Sequence, residues 1–90
     1  MQSIVFEYRP GAFEALQAAM LTAFETGVER VVLDLEVLPR LDTEGVRGLI
    51  ILLRRSREVG GDVALRATRP EVLRTLSTLA LDRLFSMAAA

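Results

Sequence analysis

The 90-residue sequence lacks cysteine, histidine and lysine, so all eleven of its basic residues are arginines. Without cysteine and histidine there is no disulfide, no thiolate or imidazole metal ligand, no cysteine nucleophile and no histidine-dependent catalytic triad. Without lysine there is neither Schiff-base chemistry nor a P-loop lysine. We therefore expect a protein that is not an enzyme and that binds no metal or cofactor.

Long hydrophobic runs and a large excess of one charge are absent as well. No apolar run approaches the roughly 20 residues that span a bilayer, and the first seven residues lack the basic leader and apolar core of a signal peptide. The net charge is −1, whereas nucleic-acid-binding proteins present a concentrated positive face. We expect a cytoplasmic protein that does not insert into membranes and that binds other proteins rather than nucleic acids.

The sequence does contain a regular alternation of strand and helix patterns. Short apolar or alternating runs predict strands, and apolar residues at every third or fourth position predict helices. The predicted strands are residues 3–8, 31–35, 62–67 and 84–87, and the predicted helices are residues 12–26, 43–59 and 70–79. The order β-α-β-α-β-α-β predicts one α/β domain over residues 1–90, with a mostly parallel four-stranded sheet and about three helices.

The same patterns predict which side chains are buried. Residues 31–35 form a nearly continuous apolar run, typical of a central strand, and residues 3–8 are expected at an edge. Gly27 is placed to end the first helix, and Asp34 is expected at a strand end, where loop N–H groups bind its carboxylate. The residues expected to face the core from the last two helices are Val46, Leu49, Ile50, Leu53, Val72, Leu73, Leu76, Leu79 and Ala80.

Thr43 lies between Asp42 and Glu44, where a predicted strand and loop lead into a predicted helix. A hydroxyl or a carboxylate there can cap free backbone N–H groups, and a phosphate on Thr43 would meet the same donors. If Asp42 is the N-cap, Leu41 and Val46 occupy the hydrophobic-staple positions. The local pattern fits an ordinary helix start, whereas its position after a strand's carboxyl end fits a functional site. The spacing leaves both interpretations open.

Gly45 and Gly48 have the spacing of an RNA-clamping GXXG loop, but here they fall inside an apolar helical pattern. We therefore expect Gly48 to serve helix packing.

Five segments together resemble the STAS family of bacterial anti-sigma factor antagonists. They are residues 31–35, residues 41–45, Gly60-Gly61, residues 70–72 and residues 81–85. In well-studied members a partner kinase phosphorylates the serine of an Asp-Ser-x-Gly motif, and this serine aligns with Thr43. The resemblance implies that Thr43 is the phosphoacceptor, that the unphosphorylated protein binds a GHKL-type anti-sigma factor serine/threonine kinase, and that phosphorylation ends this binding.

The resemblance also implies that the partner docks around Thr43. We define the Thr43 surface as the residues expected to line this contact, namely Arg40, Asp42, Thr43, Glu44, Gly45, Val46 and Arg47. A phosphate adds about −1.5 to −2 charges beside two carboxylates, at a helix start that tolerates it. The fold is expected to persist while the contact surface becomes more negative, with Arg40 and Arg47 close enough in sequence to steady the phosphate.

Three departures from the family pattern support alternatives. Threonine replaces the usual serine, as in some stressosome STAS proteins and in the STAS subunit of bacterial lipid-transport ABC transporters. Glu44 adds a permanent negative charge, and the chain is expected to be short at both ends relative to the family. The alternatives are a subunit that stabilises an ABC transporter ATPase and a stressosome-type assembly module. The edge at residues 4–8 could also pair with a second copy to give a homodimer.

Overall fold

The computed structural model describes residues 2–88 of the chain and contains the predicted alternation of strands and helices. The elements are β1 (Ser3–Glu7), a 3-10 turn (Pro10–Ala12), α1 (Phe13–Glu25), β2 (Arg30–Asp34), α2 (Thr43–Glu58), β3 (Asp62–Arg66), α3 (Pro70–Thr78), α4 (Leu81–Leu84) and β4 (Ser86–Met87). The predicted α/β class is confirmed. The sequence patterns missed the one-turn helix α4 and therefore started the last strand two residues too early.

The four strands form one parallel sheet in the order β1-β2-β3-β4. β2 is a central strand and β1 lies at an edge, both as predicted, and β3 is the second central strand. With this order and the right-handed crossovers usual for parallel strands, the helices lie on one face of the sheet. Gly27 ends the crossover helix α1 with a positive φ of 99°, the backbone conformation expected there.

The two faces of the sheet differ in chemistry. Val31, Leu33 and Leu65 point to the helices and are fully buried in the core. The opposite face carries two cross-strand ion pairs, Arg30–Asp62 at 2.7 Å and Arg66–Asp34 at 2.8 Å. The helices therefore pack on the apolar face. The opposite face, which we call the polar face, carries these ion pairs on both sides of Val32 and Ala64, which are buried.

Asp34 ends β2 with its carboxylate bound on both oxygens. Oδ2 accepts from Arg66 and Oδ1 accepts from the backbone N–H of Glu36 at 2.9 Å. The bond from Arg66, followed by the Glu36 N–H, lowers the pKa of Asp34. The predicted loop N–H contact is confirmed, and Arg66 supplies a partner that the sequence pattern did not indicate.

The buried stripe of α2 is rotated relative to the predicted one. Leu49 and Leu53 are buried as predicted, but Ile50 is 39% exposed and Leu52 takes its place in the core. Gly45, Gly48 and Leu52 share the buried side, because two glycines allow that side of the helix to approach its neighbours closely. The predicted inward position of Ile50 was wrong for this reason.

α3 packs less deeply than its sequence pattern predicts. Val72 and Leu76 are buried, whereas Leu73, Leu79 and Ala80 are exposed, contrary to the prediction. The sheet beside α3 ends in β4, which has only two residues, so only a narrow stripe of α3 finds cover. Ala80 has a φ of 59° and turns the chain from α3 into α4. No helix within residues 2–88 combines the length and apolarity needed to cross a membrane.

Candidate functional site

The start of α2 is capped by Asp42. Its backbone is extended (φ −91°, ψ −178°), and its Oδ1 accepts a hydrogen bond of 2.8 Å from the N–H of Gly45. Leu41 and Val46 occupy the two predicted staple positions and line one common groove. The sequence left open whether Asp42 or Thr43 caps α2, and in the structure the cap is Asp42.

Thr43 is the first residue of α2 and is exposed. Within residues 2–88, its hydroxyl makes no hydrogen bond. Because the Asp42 carboxylate binds a first-turn N–H, the Thr43 oxygen has no structural task. A group attached to this oxygen would extend into solvent at the positive end of the α2 dipole.

The charged side chains around Thr43 are exposed. Glu44 and Arg47 form an ion pair of 3.1 Å along one side of α2, with most of both side chains in solvent. An exposed pair of this kind contributes little to stability, so both groups remain available to a partner. Arg40 is exposed in the loop before the helix. These charges place both signs within the Thr43 surface.

Two members of the Thr43 surface are less accessible than the others. Gly45 is buried and Val46 is half-buried. The carbonyl oxygen of Gly45 accepts a hydrogen bond of 2.6 Å from the hydroxyl of Tyr8, which is itself fully buried. Because Gly45 is buried, it is not accessible to a partner. It instead anchors the first turn of α2 to the end of β1.

The surroundings of Tyr8 make its hydroxyl less acidic. Desolvation, followed by the negative charges of Asp42 and Glu44, raises the pKa of Tyr8 to about 12. The phenol thus stays neutral and keeps donating to Gly45 throughout the physiological pH range.

Gly48 makes the close approach of Tyr8 to α2 feasible. A Cβ on Gly48 would collide with the Tyr8 hydroxyl and would lie 3.2 Å from the ring of Phe13. The predicted packing role of Gly48 is confirmed, with Tyr8 and Phe13 as the groups that pack against it. Tyr8 was missed as a site residue because it lies 37 positions from Gly45 in the sequence and no local pattern connects them.

A cavity and a groove flank the start of α2. The cavity, about 160 Å³, lies between α2 and the start of α1, and its lining includes Tyr8, Phe13 and Arg47. The groove, about 340 Å³ and mostly apolar, lies on the other side between α2 and α3. Thr43 is at the rim of this groove.

The groove contains two residues that sequence analysis did not assign to the site. Thr75 and Leu79 of the α3 end face Val46 across the groove, and Leu79 is 49% exposed. The signal was present in the sequence as an apolar residue at the end of a predicted helix, but the helical pattern placed it in the core. With Leu79 exposed, an apolar patch adjoins the Thr43 hydroxyl.

This arrangement suits the docking of another protein. Asp42 is occupied with the helix cap, and Glu44 is largely exposed to solvent beside Arg47. Within residues 2–88, no group of three or more acidic side chains converges to hold a metal ion. The site offers a free hydroxyl, charges of both signs and an apolar groove, which are the components of a protein-binding surface.

The fold is similar to that of the Thermotoga maritima protein TM1081. Its NMR structure aligns with a TM-score of 0.77 and 17% identity, covering 98% of this chain and 74% of the other. A crystal structure of the same Thermotoga maritima protein, described there as a proposed anti-sigma factor antagonist, aligns with a TM-score of 0.75 and 18% identity. It covers 98% of this chain and 80% of the other. At these identities the similarity concerns the fold.

Among proteins with curated functions, no sequence match is found. The family model of the STAS domain matches residues 11–90, which is most of the sequence. This match includes the whole of α2 and its Asp42 cap, and the chain belongs to the STAS domain family.

Proposed function

We propose that this STAS domain is a protein-binding switch of the anti-sigma factor antagonist kind, controlled by phosphorylation of Thr43. The observation that carries the proposal is that Asp42 caps α2, so that the Thr43 hydroxyl is left exposed. The family and the fold similarity to a proposed anti-sigma factor antagonist support it. The partner is a GHKL-type anti-sigma serine/threonine kinase, and the interaction takes place in the cytoplasm.

In the unphosphorylated form, the partner docks on the Thr43 surface. The exposed charges of Arg40 and Arg47 and the apolar patch formed by Val46 and Leu79 give this surface both polar and apolar contacts. Binding of the kinase here releases the sigma factor that the kinase holds. The contact also brings Thr43 to the kinase, which transfers the γ-phosphoryl group of ATP to the threonine oxygen and leaves ADP.

Phosphorylation changes the charge of the surface while the fold persists. The phosphate adds about −1.5 to −2 charges next to Asp42 and Glu44, so a partner suited to the neutral hydroxyl is repelled. The free N–H groups and the dipole of the first turn of α2 tolerate the added charge. Partner binding is therefore lost without unfolding of this domain.

The groove next to Thr43 supports a second function, a subunit that stabilises the ATPase of a lipid-transport ABC transporter. Its apolar side chains, Leu41, Val46 and Leu79, keep their character whatever the state of Thr43. Such a constant apolar contact suits a permanent subunit. In this function, Thr43 contributes to the contact without being phosphorylated.

Affinity capture from native lysate distinguishes these functions. The baits are the parent protein, Thr43→Glu and the control Ser77→Glu, which adds the same charge at an exposed position on α3. The proposal predicts that the parent and Ser77→Glu capture a GHKL kinase, that Thr43→Glu does not, and that mass spectrometry finds phosphate on Thr43. Capture of an ABC ATPase with its permease supports the second function, whereas capture of other STAS proteins in large assemblies indicates the stressosome type. If Thr43→Glu retains the kinase as well as the parent does, the charge switch is wrong.

A further inference from the structure

The outer edge of β1 carries unpaired backbone groups. Tyr8 donates its N–H to β2, and Gln2 accepts from the chain entering β2. Because N–H and C=O groups alternate in direction along a strand, the groups of Ser3, Val5 and Glu7 point away from β2. Within residues 2–88 no strand pairs with this side of β1, so three consecutive outward residues offer both a donor and an acceptor.

The edge has few of the features that usually prevent strand pairing. Edge strands are commonly protected by lysine, proline, a bulge or an inward charge, but residues 3–6 are Ser-Ile-Val-Phe. Ile4 and Val5 are 38% and 46% exposed, one on each face of the sheet. An additional strand at this edge would cover apolar surface on both faces.

The neighbouring flank of α1 leaves access to this edge. Phe13 contacts Gly48 and Phe24 contacts Gly61, so these two rings mark the flank of α1 that faces α2. At 100° per residue, Ala15, Ala19 and Thr22 fall on the opposite flank, which faces the β1 edge. Because these side chains are short and uncharged, they do not project over the edge.

From these observations we propose that a second copy of this chain pairs with β1 in antiparallel fashion about a two-fold axis at Val5. In this register Val5 lies opposite Val5 of the second copy, and Ser3 lies opposite Glu7. Each outward residue then donates and accepts one backbone hydrogen bond across the axis. Two four-stranded sheets join into one continuous sheet through the same patch on both copies, as two-fold symmetry requires.

The charges of the polar face fit this register. Ser3 aligns with Arg30 of β2, so the second copy's Glu7 comes into the same row as Arg30. Arg30 binds Asp62 through Nε, which leaves its two terminal nitrogens for that Glu7 across the short Ser3 side chain. Glu7 binds Arg9 through Oε2 and keeps Oε1 for this contact. No like charges lie opposite one another in β1.

The first test is sedimentation equilibrium over a range of concentrations, with two charge variants. Val5 and Ser86 lie in the same row of the same face, at opposite edges of the sheet. The parent and Ser86→Lys should dimerise, whereas Val5→Lys, which places two lysines opposite each other, should weaken dimerisation by more than about tenfold. A parent that remains monomeric, or a dimer unaffected by Val5→Lys, overturns the proposal.

The second test fixes the register with single cysteines in a protein that has none of its own. In a hydrogen-bonded antiparallel pair, Cα atoms lie about 5.5 Å apart, within disulfide range, so Val5→Cys should form a cross-linked dimer on oxidation. In Ser3→Cys, the two introduced cysteines would be offset by four residues, about 14 Å, and should not cross-link. Equal cross-linking of both variants contradicts the register. Neither test involves Thr43, so failure here leaves the phosphorylation switch standing.

Discussion

α2 and α3 both begin at the carboxyl end of a parallel strand, yet they are attached to the molecule in different ways. α2 has a side-chain cap from Asp42 and a backbone bond from the buried Tyr8 hydroxyl. α3 begins at Pro70 without a side-chain cap, and only Val72 and Leu76 are buried. A helix bound at its first turn can present an unconstrained hydroxyl in a fixed position, which is the role we assign to α2.

The shallow packing of α3 has its own consequence. Because α3 sits beside the two-residue strand β4, Leu73 and Leu79 stay exposed. Leu79 then forms one wall of the groove whose other wall is the start of α2. The firmly held helix supplies Thr43, the switch residue that we propose, and the loosely packed helix supplies apolar surface beside it.

Among the variants that test how α2 is attached, Gly48→Ala is expected to lose the most stability. The added Cβ collides with the Tyr8 hydroxyl, and overpacking of this kind typically costs about 1–3 kcal/mol. Denaturant unfolding should show this loss of stability. The matched control is Gly11→Ala, since nothing lies within 4 Å of a Cβ at Gly11.

The Tyr8→Phe background tests the cause of that loss. Removing the hydroxyl removes its hydrogen bond to the buried Gly45 carbonyl, at a cost of about 0.5–1.5 kcal/mol, but also relieves the collision. The double variant Tyr8→Phe/Gly48→Ala should therefore lose less stability than the two single losses combined. Strict additivity would show that Gly48 acts through a contact other than Tyr8.

A second effect concerns the pH dependence of stability. Tyr8 has a raised pKa of about 12 in the folded protein against 10.0 normally, so the folded state favours the neutral phenol. The resulting stabilisation is fully present below pH 10 and is lost as the pH rises from about 10 to about 12. Since Tyr8 is the only tyrosine and tryptophan is absent, tyrosinate absorbance reports this residue alone. A midpoint near 10 in the folded protein would contradict the burial of the hydroxyl.

The smallest expected effect is the difference in stability between Asp42→Ala and Thr43→Ala. Asp42→Ala removes the cap of α2 and should cost about 1 kcal/mol. Thr43→Ala removes an exposed hydroxyl and should change the free energy of unfolding by less than about 0.5 kcal/mol. Thermal or denaturant unfolding of both variants measures the difference. Equal costs would mean that Thr43 shares the capping role.

The sequence predicted the order of the main elements and the position of Thr43 at the start of α2 because both depend on local patterns. Pro70 fixes the start of α3, Gly27 the end of α1, and Asp42 the start of α2, each within a few residues of the feature that it controls. The position of Thr43 after a strand's carboxyl end followed from the same local reading. The chain's membership in the STAS family agrees with the five segments that suggested it.

Features that depend on contacts between distant residues could not be predicted in this way. The Tyr8–Gly45 bond joins two elements that no periodic pattern connects. Ile50 and Leu79 were placed in the core because a helical period fixes the spacing of apolar residues but not how far the neighbouring elements extend. Their exposure follows from the close approach of Tyr8 to α2 and from the shortness of β4.

The most direct measurement is made on the protein with phosphothreonine incorporated at position 43 during translation. We expect its free energy of unfolding to stay within about 1 kcal/mol of the parent, because the phosphate lies at an already capped helix start, while capture of the kinase partner is lost. A phosphorylated protein that unfolds would show that the Thr43 oxygen is needed by the fold. One that keeps its fold and still binds the partner would contradict the switch.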